Sequence, residues 1–454
     1  MSAATPAAPA ARGSGAGFPP TPPARARERE LLALAWLVVV GASVLLAWST
    51  SPELPRSVLV DALSFGALAT AAHLVVRRVA PAADPLLLPL TFLLNGLGLV
   101  FIRRIDLAVG SQLAPAQTTW TIVAGVAFVA TLVAVRDVRD LSRFTYSFGL
   151  ATLVLLALPL VPGLGQRVRG AQLWIELFGL TFQPGEVAKV TMVVFLAGYL
   201  ERKRALLSVA TQRVGPLLLP PARHLGPVLS AVGLALVIMV AQRDLGPGLL
   251  LLGVAVALLY VATGRLAYPL IGLAAFSLGA FLATRLFGHV RLRIDIWLRP
   301  FADPQGDGYQ LVQSLFALGT GGLTGVGLGL GRPSDIPVAA TDAIFAVIGE
   351  ELGMLGATAV LLAFLLLVAR GLRIAMAQRD EFATLLAVGL ATIVGLQVFL
   401  IVGGITRLVP LTGITLPWVS YGGSSLLANA MLLALLVRMS DSAAGAGASR
   451  GGRS

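Results

Sequence analysis

Long apolar runs recur along almost the whole chain and decide what it can fold into. A window of roughly 20 residues, the length of helix that crosses a bilayer, finds about twelve of them. Hydrophobic residues make up 57% of the chain and charged residues only 12%, which agrees with this pattern. We therefore predict an all-α polytopic membrane protein whose helices lie near 31–50, 57–76, 83–102, 117–135, 144–162, 184–200, 225–241, 247–264, 267–287, 345–369, 383–403 and 421–438.

Basic residues predict how these helices are oriented. With the N-terminus in the cytoplasm, many arginines fall in links on the inner side, as the positive-inside rule requires. The net charge of +12 is better explained by the anionic inner leaflet than by nucleic acid. We predict a cell-membrane protein with membrane lipids, and no nucleic acid, as partners. Other arginines fall on the outer side, where we expect anionic partners: Arg103, Arg104, Arg167, Arg169, Arg291, Arg293, Arg299, Arg332 and Arg407.

Composition changes at both ends of the chain. Residues 1–29 are rich in Ala, Pro, Gly and Arg, residues 440–454 are rich in Gly, Ala, Ser and Arg, and neither segment can bury a core. We predict two disordered cytoplasmic tails around a multi-pass transmembrane domain at 30–439. The same topology places the longest interior loop, about 288–344, on the extracytoplasmic face.

Two patterns in this loop predict its local structure. Residues 290–296 alternate between apolar and polar, which suits an extended or interfacial segment. The glycines that follow favour a re-entrant, backbone-lined surface, and a flexible solvent loop is the alternative. A nucleotide-binding loop is excluded, because no strand precedes the glycines and no Gly-Lys-Ser/Thr follows. The series comprises Gly319, Gly321, Gly322, Gly325, Gly327, Gly329 and Gly331.

The chain lacks cysteine and has few histidines. The absence of cysteine excludes disulfides, thiolate nucleophiles and cysteine-based metal sites. His73, His224 and His289 are scattered and share no ligand spacing. We therefore predict no metal site built from protein side chains.

The stretch 241–248 carries the strongest functional signal. Arg243 and Asp244 lie between two apolar runs, and Gly-Pro-Gly follows at 246–248. A carboxylate at the edge of the hydrocarbon is costly to keep, so it marks a candidate functional site. The helix breakers beside it free backbone groups that must face protein or water. The alternative is that Asp244 only pairs with Arg243 in a connecting loop.

A second pair of ionisable residues begins an apolar helix. Glu186 and Lys189 are three residues apart and share one helix face after Pro184. Lys189 lies one turn deeper and needs a carboxylate to stay charged. The pair is interpreted either as a polar group that fixes the cavity and orients Asp244 or as a structural ion pair.

Three acidic residues lie in or just before the first turns of a later apolar helix. Glu350 and Glu351 lie in its first turns, and we expect one of them to cap or pair structurally. Asp342 precedes the helix, with helix N-capping as its first expected role and support of catalysis as its second.

Four segments resemble motifs of the SEDS family, which comprises RodA, FtsW and SpoVE. The order and spacing of the segments agree with the family from about residue 144 to 439, and details such as Gly185 are most similar to actinobacterial RodA. The departures at Gly185, Ala343 and Trp418 remove no ionisable group. Since the family usually has ten spans, the resemblance implies two additional helices at the N-terminal side. The matching segments are 182–189 (Phe-Gln-Pro-Gly-Glu-Val-Ala-Lys), 242–246 (Gln-Arg-Asp-Leu-Gly), 342–353 (Asp-Ala-Ile-Phe to Leu-Gly) and 410–424 (Pro-Leu-Thr-Gly to Gly-Gly-Ser).

The resemblance implies a peptidoglycan glycosyltransferase. Such a protein polymerises lipid II by transferring the growing glycan from its polyprenyl diphosphate to the 4-hydroxyl of the next GlcNAc, for cell elongation, shape or division. An α-linked diphosphate leaves while a β-1,4 bond forms, so direct displacement with inversion is the simplest path. The family also implies a class B penicillin-binding protein, a transpeptidase, as partner. A lipid II flippase and a non-catalytic scaffold for a transpeptidase stay as alternatives.

This reaction assigns expected roles to the residues already singled out. Asp244 is the expected general base, on the extracytoplasmic face. Outward guanidinium groups suit the oxygens of the leaving diphosphate. No cluster of ligands in the sequence requires a cofactor. A divalent cation (Mg²⁺ or Mn²⁺) bound between the diphosphate and a carboxylate is left as an alternative. The supporting polar residues are Gln183, Glu186, Lys189, Asp342 and Glu350, and the candidates for binding diphosphate are Arg243, Arg293 and Arg407.

Overall fold

Helices dominate the structure, a computed structural model that describes residues 24–50, 56–168, 171–177, 180–208, 212–214, 217–219 and 222–451. They are α1 (Ala24–Thr50), α2 (Arg56–Val79), α3 (Leu87–Val109), α4 (Leu113–Ala134), α5 (Thr145–Ala157), α6 (Pro184–Ser208), α7 (Ala222–Gln242), α8 (Leu245–Thr263), α9 (Ala267–Leu286), α10 (Gly288–Leu298), α11 (Tyr309–Gly321), α12 (Ile344–Ala377), α13 (Glu381–Ile405) and α14 (Gly423–Gly451).

The predicted all-α polytopic architecture is confirmed. Each predicted span coincides with a helix, and the two remaining helices, α10 and α11, lie in the long loop between α9 and α12. Among the described residues, nine helices are long and apolar enough to cross a membrane. The apolar part of α7, Gly226–Gln242, is shorter than these nine. The count of about twelve crossings therefore stays a prediction.

Both predicted tails contain helical residues, so these two boundaries are wrong. α1 begins at Ala24, where Glu28 is buried and pairs with Arg25 and with His73 Nδ1 at 2.7 Å. α14 continues past residue 439 to Gly451, and Asp441 accepts a hydrogen bond from the Ala82 amide at 2.7 Å. These polar contacts, to His73 of α2 and to the link before α3, support the start of α1 and the continuation of α14 past residue 439. Residues 1–23 and 452–454 lie outside the described residues.

Two small antiparallel sheets add to the helices. One contains β1 (Gly165–Val168), β2 (Ala171–Leu177) and β3 (Leu180–Phe182) in that order, with Ile175 of β2 opposite Phe182 of β3. The other is a hairpin of β4 (Gln212–Val214) and β5 (Leu217–Leu219). β3 ends directly before Gln183 and Pro184, so the first sheet fixes where α6 begins.

The alternating segment 290–296 is helical and not extended. It forms most of α10, and the C-terminal carbonyls of that helix are capped from outside. Arg407 donates through Nε to the Trp297 carbonyl at 2.9 Å and through a second nitrogen to the Leu298 carbonyl at 2.8 Å. The Trp297 ring N–H donates to the Arg407 carbonyl at 3.1 Å. Capping by a distant residue thus overrides the period-two pattern.

The glycine series places its backbone against α12, as the backbone-lined interpretation expects, and re-entry into the membrane stays a prediction. The Val326 and Gly327 amides donate to the carbonyls of Glu350 and Glu351 at 3.0 and 3.1 Å. Gly353 interrupts α12 with φ 66°, and a Cβ on it would collide with the backbone of Gly325. Only residues without a side chain allow this approach, so the glycines dock the loop against the kink in α12.

Close helix packing positions the candidate site. α6, α8 and α13 contact one another and carry many buried apolar residues. They meet at Gly389 of α13, where a Cβ would press on Val193 of α6 and lie 3.2 Å from Leu258 of α8. The absence of a side chain at Gly389 lets α6 and α8 approach, which fixes the ionisable start of α6 relative to the start of α8.

Candidate active site

The chain breaks sharply between α7 and α8. Arg243 adopts a left-handed backbone conformation with φ 63°, and the Asp244 amide donates to the Met239 carbonyl at 2.8 Å. Asp244 occupies the N-cap position of α8, but its side chain makes no capping hydrogen bond. No ion pair joins it to Arg243 among the described residues. The alternative in which Asp244 only pairs with Arg243 is therefore not observed.

The polar pair on α6 is buried and extends into a chain of contacts. Lys189 Nζ lies 2.7 Å from Glu186 Oε2 and donates to Gln397 Oε1 at 3.2 Å. The Gln397 amide group then donates to the Thr415 carbonyl at 2.7 Å. Glu186, Lys189 and Gln397 are 5%, 3% and 0% exposed, so this chain is held inside the protein. It ties α6 to α13 and to the segment before α14.

Gln397 was not predicted as a site residue. A sequence signal was present, because Gln397 is an amide inside the very apolar helix α13, and a buried amide needs hydrogen-bond partners.

Four ionisable groups from three parts of the chain surround Asp244. Burial and the negative charges of Glu186 and Asp342 raise the pKa of Asp244 to about 7, while the positive charges of Arg293 and Lys189 oppose that rise. Asp244 lies between the membrane-spanning helices and is half-buried. A carboxyl group with this pKa is ionised in part at neutral pH and can accept a proton.

A cavity of about 310 Å³, here called the Arg293 cavity, lies beside these groups. Arg293 points at the segment before α14, with contacts of 3.5 and 3.4 Å to the carbonyls of Leu411 and Thr412. A Cβ on Gly413 would lie 3.7 Å from Asp342 Oδ2 and 3.8 Å from an Arg293 guanidinium nitrogen, so both side chains converge there. The lining includes His289, Arg293, Trp297, Asp307, Gln310, Asp342, Leu411 and Gly413.

His289 is a second residue that the sequence did not single out. It lines the Arg293 cavity, and burial together with the charges of Arg243 and Arg293 lowers its pKa. Both arginines therefore lie near His289. Arg293 lines the cavity itself and Arg243 adds its positive charge nearby, which suits an anionic ligand.

Other predicted site residues lie outside this constellation. Arg407 caps α10, as described above. Gln183 contributes its backbone amide, which donates to Ser424 Oγ at 2.8 Å.

The N-cap position of α12 falls on Ala343, so Asp342 does not occupy the predicted cap.

Glu350 and Glu351 hold the glycine loop. Glu351 pairs with Arg104 Nε at 2.7 Å and accepts from the Gly329 amide at 2.8 Å, as expected for one structural glutamate. Glu350 Oε1 accepts from the Arg332 amide at 3.2 Å. Arg104 therefore has an anionic partner, as the sequence predicts, and so does Arg103, which pairs with Asp61.

No group of three or more histidine, aspartate or glutamate side chains in the described part of the chain is arranged to hold a metal ion. The negative charge of Asp342 acts on Asp244, and the positive charges of Arg293 and Lys189 partly offset it. The site therefore has the character of a proton acceptor beside an anion-binding surface.

These features define a class: a polytopic membrane protein with a titratable carboxylate in a helix break, beside a cationic cavity. The chain belongs to the family described as cell cycle protein and named for FtsW, RodA and SpoVE, whose profile matches residues 85–444. α1 and α2 precede the matched segment, in agreement with two helices added to the family core. Peptidoglycan glycosyltransferase RodA of Mycobacterium tuberculosis is 45% identical over 432 residues, which cover 94% of this chain and 92% of that protein.

Two solved structures share the fold. One belongs to a peptidoglycan synthase complex described as coordinating polymerization and crosslinking; its TM-score is 0.63 at 28% identity, over 80% of this chain and 98% of that chain. The rod shape determining protein RodA of Thermus thermophilus gives a TM-score of 0.55 at 26% identity, over 79% of this chain and 97% of that chain.

Proposed function

We propose that this chain is a peptidoglycan glycosyltransferase that polymerises lipid II into glycan strands. The observation that carries the proposal is the convergence of Asp244, Arg293 and Asp342 at the break before α8. The names of the family relatives support the reaction class. A role in elongation, shape or division follows from the same relatives.

Proton transfer and charge stabilisation account for the reaction. The Asp244 carboxylate takes the proton of the acceptor's 4-hydroxyl while that oxygen attacks the anomeric carbon of the growing chain. The bond from this carbon to the diphosphate breaks, and polyprenyl diphosphate leaves with the electron pair. Attack opposite the leaving group inverts the α-linkage into a β-1,4 bond. Arg293 and Arg243 stabilise the negative charge that develops on the diphosphate.

The remaining groups hold this arrangement. The pair of Glu186 and Lys189 sets the charge around Asp244 and ties α6 to α13 through Gln397. Mg²⁺ commonly binds one or two carboxylates together with substrate phosphates. Asp342 beside Arg293 is the carboxylate that would hold such an ion, which would add to the neutralisation of diphosphate charge.

We place the site on the extracytoplasmic face of the cell membrane, with a class B penicillin-binding protein as partner. The arginine-rich inner links support this orientation. The partner is supported by the structural neighbour from a complex that coordinates polymerization and crosslinking.

Labelled lipid II in proteoliposomes of the purified protein tests the function against its two alternatives. A glycosyltransferase makes glycan polymer, a flippase moves the label between leaflets without polymer, and a scaffold does neither. We expect polymer that is degraded by a muramidase. Scrambled lipid without polymer, or no change in lipid II, would contradict the proposal.

Replacing Arg293 with alanine is expected to lower kcat/KM for lipid II by about 10- to 100-fold, the loss of a charge-assisted hydrogen bond. Arg293→Lys should recover only part of this loss, because an ammonium cannot make the bidentate contact. The initial rate of polymer formation at several lipid II concentrations measures the effect. Arg299→Ala, an exposed arginine of the same loop, is the matched control and should keep the wild-type rate. An Arg293→Ala protein equal to this control would remove Arg293 from the diphosphate site.

A further inference from the structure

A second polar cavity of about 480 Å³, here called the Glu350 cavity, lies apart from the lining of the Arg293 cavity. It is formed by α11, the glycine loop and the first turns of α12. Its volume is in the range of about 300–1,000 Å³ that is common for ligand pockets. Its lining includes Gln313, Phe316, Thr320, Arg332, Asp335 and Glu350.

Glu350 has an unsatisfied acceptor in this cavity. The residue is 6% exposed, and its Oε1 accepts from the Arg332 amide at 3.2 Å. Its Oε2 has no hydrogen-bond partner among the described residues. A Cβ on Gly331 would lie 3.0 Å from this oxygen, so only glycine lets the backbone at residue 331 approach the carboxylate this closely. A buried acceptor without a donor is unfavourable, and a ligand that donates a hydrogen bond would remove that cost.

α11 connects the Glu350 cavity to the Arg293 cavity. Gln310 of α11 lines the Arg293 cavity, whereas Gln313, Ala317 and Thr320 of the same helix line the Glu350 cavity. Positions 310, 313 and 317 share one face of the helix. A chain-like ligand that leaves the first cavity along this face therefore reaches the second.

The lining fits an uncharged, hydroxyl-rich ligand. Gln313 offers an amide and Thr320 a hydroxyl, while Arg332 and Asp335 carry opposite charges at the rim. Phe316 is 54% exposed and offers a ring face, with the Phe301 ring 6.2 Å away.

We propose that the Glu350 cavity is a subsite for the β-1,4-linked N-acetylated amino-sugar strand that extends from the Arg293 cavity. The sugar hydroxyls donate to Glu350 and Asp335, the acetamido groups pair with Gln313 and Arg332, and a sugar face packs on Phe316. The inference rests on the proposed glycosyltransferase function. By holding the strand between additions, the subsite lengthens the polymer without taking part in bond formation.

Two measurements on the purified full-length protein test this subsite. The first is binding of β-1,4-linked tetra-N-acetylglucosamine, detected by saturation-transfer NMR and titrated for affinity. The second is the length distribution of polymer made from lipid II. Gln313→Ala and Thr320→Ala alter side chains that are at least partly exposed, and Glu350→Gln keeps the shape of the buried side chain. Each is expected to weaken tetramer binding by about threefold to tenfold, the loss of one hydrogen bond, and to shorten the polymer.

Thr324→Ala is the matched control, since Thr324 is an exposed hydroxyl residue of the glycine loop that does not line the cavity. It should bind the tetramer and build polymer like the wild type. Absence of tetramer binding by the wild type, or wild-type affinity and polymer length in Gln313→Ala and Thr320→Ala, would overturn the subsite. Failure of the proposed function gives a different result: the wild type makes no polymer, while tetramer binding that depends on Gln313 and Glu350 still supports the subsite.

Discussion

Asp244→Asn is expected to slow glycan polymerisation by about 10²-fold or more, because asparagine keeps the size of the side chain but cannot accept the proton of the attacking hydroxyl. The amount of folded protein should stay close to that of the wild type. The Asp244 side chain makes no capping hydrogen bond and no ion pair within the described residues, so the substitution breaks no such contact. Initial rates with labelled lipid II at saturating concentration measure the loss.

A matched control uses another aspartate of the same region. Asp295 on α10 is exposed and is not part of the Arg293 cavity lining, so Asp295→Asn should polymerise at the wild-type rate. Binding of lipid II to the Asp244→Asn protein should also persist, since the arginines remain. A well-folded Asp244→Asn protein that polymerises as fast as Asp295→Asn would move the base to Glu186 or Asp342.

The second large effect is expected at the buried pair on α6. Lys189→Met removes the cation 2.7 Å from Glu186 and leaves a carboxylate that is 5% exposed without its partner. Breaking a buried ion pair in this way costs about 3–5 kcal/mol of folding free energy. We expect a strong drop in thermal stability in detergent and in the yield of monodisperse protein.

The double variant Glu186→Gln/Lys189→Met separates stability from function. Removing both charges relieves the unpaired carboxylate, so most of the thermal stability should return. Polymerisation should stay low, because the charges that act on Asp244 are gone. Lys203→Met, at a half-buried lysine of the same helix, should match the wild type in both properties. A Lys189→Met protein as stable as this control would contradict the structural role of the pair.

Runs of apolar residues predict the helices, and isolated charges within them predict part of the candidate site. The helices follow from runs of about 20 apolar residues, because backbone N–H and C=O groups in lipid can form hydrogen bonds only with one another. The contact between Glu186 and Lys189 follows from their spacing on one helix. The importance of Asp244 follows from the cost of a carboxylate between two apolar runs.

Contacts between distant segments account for what the sequence did not predict. α10 is helical because Arg407, far along the chain, caps its carbonyls. This contact also engages the Arg407 guanidinium, which the sequence predicts as a diphosphate ligand. A sequence shows the charge of an arginine but not the carbonyls that lie beside it. Gln397 and His289 join the site through neighbours on other helices. In the three-stranded sheet at 165–182, β1 and β3 have only four and three residues, too few for a clear periodic signal, and β2 alone has seven.

The dependence of kcat/KM on pH tests the central claim, that Asp244 is the base, most directly. The pKa of Asp244 is raised to about 7, so the carboxyl group is protonated and inactive below that pH and becomes able to accept a proton above it. The pH dependence of kcat/KM reports the pKa of this group in the free enzyme. We predict that kcat/KM for lipid II rises about tenfold per pH unit up to about pH 7 and then levels, and that Asp244→Asn lacks this inflection. A wild-type profile that is flat through pH 7, or the same inflection in Asp244→Asn, would contradict it.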